Sequence, residues 1–171
     1  MSAAQFSGLE GGDVFLVCDS VSKTLVSVAL CLSSQQGDVL VSTIDPQGLI
    51  KFVPIHRYIQ SLPSERFVEC VWMDEWDESG RANATRAALD LMRRCCRSSM
   101  LEDWLVDSGG IQPNDALELW WWTWRNPSLY REMCVVTWAL VAATKRKWDW
   151  SVLCPARFCE WVRTSNSNFS I

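Results

Sequence analysis

One cysteine and one histidine are the side chains whose types could together do nucleophilic chemistry here. Cys134 stands in "LYREMCVVTWALVAATK" (Leu129–Lys145), and His56, the only histidine, in "VPIHRYI". A free thiol, with pKa of about 8.5, is only a few per cent ionised at neutral pH, so a cysteine nucleophile needs a base beside it. An imidazole does this best when a third polar group holds its tautomer. A helix N-terminus under the sulfur adds partial positive charge. Asn126-Pro127 reads as an N-cap and first helical residue, which would put Cys134 two turns in, beyond the unsatisfied N-terminal amides. A helix starting near Met133 would instead put the thiol at the favourable end.

The other seven cysteines are Cys18, Cys31, Cys70, Cys95, Cys96, Cys154 and Cys159. None forms a C-x-x-C pair, and with a single histidine no zinc framework is expected. No cofactor motif is present either. Cys18, Cys31 and Cys70 fall inside apolar runs, where a thiol behaves as a small hydrophobe. All eight are expected to be reduced.

These groups must be positioned by one domain of ordinary globular composition. The chain has 171 residues, 49% of them apolar and 21% charged, with a net charge of −4. That length suits a single domain with a real core, and the acidic balance argues against a nucleic-acid partner. "MRRCCR" (Met92–Arg97) and "KRK" (Lys145–Lys147) are short basic clusters that read as solvated helix edges. "MSAAQFSGLEGGD" lacks the basic and apolar regions of a secretory signal and the Arg-rich pattern of a presequence. The most apolar run, Cys134 to Ala143, is about half a membrane span. A soluble protein of the cytoplasm is the expectation.

Five strands are predicted: Asp13–Cys18, Lys23–Leu32, Val39–Thr43, Leu49–Val53 and Glu65–Met73, separated by turn signals such as "IDPQG". "IHRYIQSL" after Pro54 reads as a short helical turn. The period then changes. Ala87, Ala88, Leu91, Met92 and Cys95 share one helical face between Asn83 and Arg97. A less regular region containing Gly109-Gly110 leads to the Cys134 helix, and Pro155 opens a short closing helix. The order implies an α+β fold in which an antiparallel sheet or small barrel of about five strands packs against two or three helices. Residues 1–10 read as an N-terminal extension, 11–162 as the domain and 163–171 as a polar tail.

That order of elements resembles the circularly permuted papain-like hydrolases and acyltransferases of the NlpC type and their lecithin:retinol acyltransferase-like relatives. "GGDVFLVC" (Gly11–Cys18) stands where the family has its first strand, and "VSVALCL" (Val26–Leu32) where it has the strand of the catalytic histidine. "VLVSTIDPQGLIKFVPIHRYI", "RFVECVWM", "YREMCVVTWALVA" and "CPARFCEWV" complete the likeness, which covers Gly11 to Val162. It implies a permuted papain-like fold with Cys134 at the nucleophile position. The histidine position falls on Ser27 or its neighbours, and the third polar position near Val41 or Ser42. None of these is a base near neutral pH, and His56 falls past the strand that would face the nucleophile. The resemblance therefore implies a vestigial site.

The remaining signal is aromatic. "LWWWTW" holds Trp120, Trp121, Trp122 and Trp124, at the end of an insertion spanning about residues 100–124. Consecutive residues of a helix or strand point in different directions, so these rings cannot all be buried on one side of one element. Tryptophan is enriched at binding hot spots, and exposed apolar patches mark partners. The expected function is an inactive papain-like domain serving as a structural or adaptor subunit of a larger protein assembly. The alternative is an active thiol hydrolase or acyltransferase on amide or ester bonds, with Cys134 as nucleophile and His56 or an unusual base.

Overall fold

The computed structural model describes residues 9–33, 39–45, 47, 49–73, 77–94, 127–144, 155–163 and 167–170. The insertion, with Trp120, Trp121, Trp122 and Trp124, lies outside them. The described chain is α+β. Its strands are β1 (Val14–Asp19), β2 (Leu25–Ser33), β3 (Val39–Ile44), β4 (Ile50–Pro54), β5 (Arg66–Trp72) and β6 (Ser167–Ser170). Its helices are α1 (Ile55–Ser61), α2 (Glu78–Arg94), α3 (Pro127–Thr144) and α4 (Pro155–Arg163). The strands form one sheet in the order β4-β3-β2-β1-β5-β6, with every neighbouring pair antiparallel.

The five expected strands appear within two residues of their predicted bounds, and α1, α3 and α4 start where the prolines place them. Two elements differ. Helix α2 begins at Glu78, five residues ahead of the expected start, because its first turn carries no apolar period to betray it. The C-terminal residues expected as a polar tail include Arg163 at the end of α4 and the edge strand β6, which pairs with Glu69–Trp72 of β5. Among the described residues the sheet has six strands with β6 and the helices number four, in keeping with an α+β fold built on an antiparallel sheet.

Strand β1 sits near the middle of the sheet and is buried on both faces, which accounts for its unbroken apolar run rather than an alternation. Val14, Leu16 and Cys18 point to a large core that includes Ala84 and Ala88 of α2, Tyr130, Met133 and Val136 of α3, and Phe158 of α4. Phe15 and Val17 point to the opposite face and pack with Ile55 and Tyr58 of α1. Three helices therefore cover one face and α1 the other.

Two buried charges fasten this frame. Asp13, fully buried just ahead of β1, accepts hydrogen bonds from the Glu10 amide (3.0 Å), the Met73 amide (2.8 Å) and Arg81 Nη1 of α2 (2.8 Å). Glu69 of β5 receives both Nε and Nη2 of Arg163, each at 2.8 Å, a two-pronged pairing that ties α4 to the sheet.

Candidate functional site at the open edge of strand β2

Strands β2 and β3 pair only over Cys31–Ser33 and Val39–Val41. Below that point β2 continues with β1 alone, Leu16 opposite Val28 and Val17 opposite Ser27, with an irregularity before Leu25. In an antiparallel strand alternate amides point to alternate sides. The Cys31 amide donates to Asp13 of the β1 side at 2.7 Å, so those of Val28 and Leu30 point the other way, into the gap where β3 has left the ladder. A buried amide without a partner is costly. Side chains close this gap: Leu30 N donates to Ser42 Oγ at 3.1 Å, and Val28 N donates to Glu132 Oε2 at 3.0 Å.

Glu132 reaches this position from the second turn of α3, and Ser27 Oγ donates to the same carboxylate oxygen at 2.5 Å. Burial pushes the Glu132 carboxyl up to about 7, against the opposing pull of the Ser27 and Val28 hydrogen bonds. Tyr58 of α1 is buried beside this pair. Its phenol is driven up by burial and then by Glu132, with Ser27 opposing. Ser27, Glu132 and Tyr58 thus form one polar cluster between β2, α1 and α3, with Ser42 of β3 closing the same edge at Leu30.

Ser27 and Ser42, the positions expected for the histidine and its orienting partner, are therefore brought to one strand edge, and α3 does face that edge. Cys134 does not join them. It is the eighth residue of α3, is 1% exposed and belongs to the large apolar core. The helix starts at Pro127, so the reading that set the thiol over a helix N-terminus is excluded. His56 is exposed on α1, which covers the opposite face of the sheet from the core holding Cys134.

Comparison with protein-family models, with curated proteins and with solved structures finds no match. What the chain does must be argued from its own residues.

Among the described residues the other cysteines, Cys18, Cys31, Cys70 and Cys159, are all buried. Burial raises the thiols of Cys18, Cys31, Cys70 and Cys159, the last to about 11. A thiol so shifted is a poorer source of thiolate than a free one. Among the described residues no cluster of His, Cys, Asp and Glu could hold a metal ion, and no helix is long and apolar enough to cross a membrane. A groove of about 720 Å³ runs between Gly11 and the outer side of α2, past Thr85 and Leu89. Arg81 in its wall is already committed to Asp13 and Glu10.

Glu132 escaped the sequence reading, which followed the cysteine. The available signal was an acid set among apolar residues: Leu129, Tyr130, Met133, Cys134, Val135 and Val136 are all buried around it.

Proposed function

We propose that this chain is a catalytically inactive relative of the permuted papain-like hydrolases, working as a structural or adaptor subunit of a protein assembly in the cytoplasm. One observation carries the inactive half: the thiol at the nucleophile position is enclosed in apolar core eight residues into its helix. There it has neither access to substrate nor the help of a helix terminus. The serine at the histidine position supports the same reading, since its hydroxyl is engaged by Glu132 instead of facing the thiol. The adaptor half rests on Trp120, Trp121, Trp122 and Trp124, whose clustering in the sequence suits a protein contact.

The test is alkylation of Cys134 by iodoacetamide in the folded protein, followed by peptide mapping from pH 5 to 9. The expected result is protection across the range, with ordinary reactivity recovered only in denaturant. Rapid labelling below pH 7 would overturn the reading and restore a thiol hydrolase or acyltransferase. The adaptor half is checked by replacing all four tryptophans with serine: the wild type should migrate with its assembly in native extracts, the variant at the mass of a monomer.

A further inference from the structure

We propose that the junction of α3 with the open edge of β2 is a proton-controlled latch, shut while the Glu132 carboxyl is neutral and loosened when it ionises. The geometry leads there first. Glu132 fills a gap in a sheet, and its two hydrogen bonds among the described residues converge on one oxygen, from Ser27 Oγ and Val28 N. A carboxylate withdrawn from water needs a cation or several donors, failing which it takes up a proton. Among the described residues no cation is an influence on it. From α1 comes Tyr58, an acid that itself has the Cys31 thiol of β2 beside it. β3 contributes the neutral Ser42, already accepting from Leu30 N. On α3 itself Arg131 is the next residue, about 100° around the helix axis, and it is not among the influences acting on Glu132.

A neutral Glu132 keeps a carbonyl-type oxygen for Ser27 and Val28, so nothing is lost by protonation. An ionised one keeps the same two bonds but carries an uncompensated charge beside a buried phenol. The cheaper arrangement is then for the carboxylate to swing to water, which leaves the Val28 amide without its partner and frees the first turns of α3 from the strand. With a carboxyl at about 7 in place and an ordinary 4.5 once released, the release equilibrium grows about tenfold between pH 6 and pH 8.

Hydrogen exchange at the Val28 amide reads the latch directly. After correction for intrinsic exchange, the wild-type amide should lose protection about tenfold from pH 6 to pH 8, while Glu132→Gln, which keeps the accepting oxygen and cannot ionise, should show no such trend. The Leu30 amide, held by Ser42, serves as the internal reference. A wild-type Val28 amide that follows Leu30 at every pH would overturn the proposal. The Glu132 side-chain carboxyl carbon, followed by NMR in the wild type, gives an answer even if the variant does not fold. A midpoint near neutrality supports the latch, and a midpoint in the ordinary carboxylate range sinks it.

Discussion

Replacing Asp13 by alanine should remove a large share of the stability of this fold. The carboxylate is fully buried and its partners come from three directions: the Glu10 amide, the Met73 amide past the end of β5, and Arg81 of α2. Truncation leaves two inward-pointing amides and a guanidinium that keeps Glu10, itself mostly exposed, as its remaining acid. Breaking a buried pair by removing one partner costs about 3–5 kcal/mol. For a chain of this size each kcal/mol moves the melting temperature by about 2–4 °C, so Asp13→Ala should melt about 10–15 °C below wild type. Thermal unfolding by circular dichroism measures it. Asp13→Asn, which keeps one accepting oxygen, should fall between the two. Adding Arg81→Met to Asp13→Ala should cost less than its effect alone, because part of the loss is the stranded cation. A shift below about 4 °C for Asp13→Ala, or strict additivity in the double variant, would refute the view that this triad fastens α2 to the sheet.

Glu132→Gln should stabilise the protein above neutrality and leave it unchanged near pH 4. The folded carboxyl at about 7 lies above its ordinary 4.5, so its contribution is complete below pH 4.5 and is lost as pH rises to about 7, up to about 3 kcal/mol in total. Urea unfolding at pH 4.5 and 8 checks this, and equal wild-type-to-variant differences at both would contradict it. Thr137, wholly buried on α3, has a hydroxyl with no hydrogen-bond partner among the described residues. Thr137→Val should therefore be neutral or stabilising by up to about 1 kcal/mol in the same assay. Asp19 shows the opposite pH sign from Glu132: the Ser22 and Val21 amides, then the Ser22 hydroxyl and Arg66, hold its carboxyl below the usual 3.8. Its contribution is present above about pH 4 and lost as pH falls through the lowered value, so Asp19→Asn should flatten the decline of melting temperature in acid.

What was legible in the sequence follows from how each element earns its place. Strands β1, β2 and β5 are apolar runs between turn residues because they are buried, and burial writes itself into composition. Pro127 and Pro155 mark helix starts because a proline loses nothing at the first helical position. Strand β6 was illegible: "SNFS" is held by backbone pairing to the free edge of β5, which asks little of its side chains. The start of α2 was hidden for a related reason, since Glu78, Ser79 and Gly80 lie outside the core and obey no period. The gap in β2 could not be foreseen at all. It depends on where β3 leaves the ladder, and the residues that close it, Ser42 and Glu132, are distant in sequence from the amides they satisfy.

That gap also explains why Cys134 and the open edge of β2 do not meet. Residues two apart on a helix point about 200° away from each other, so α3 cannot turn both Glu132 and Cys134 toward β2. The helix could present a thiol to the strand or a carboxylate, and here the carboxylate is turned inward to the Val28 amide while the thiol is enclosed in the large apolar core. Rotating α3 to expose Cys134 to the edge would strand the Val28 amide, bury the carboxylate in hydrocarbon and pull Met133 from the core. Each of these costs on the order of 1–3 kcal/mol or more. The register of one helix therefore carries two consequences at once: it stabilises an incomplete sheet, and it buries the only thiol on α3.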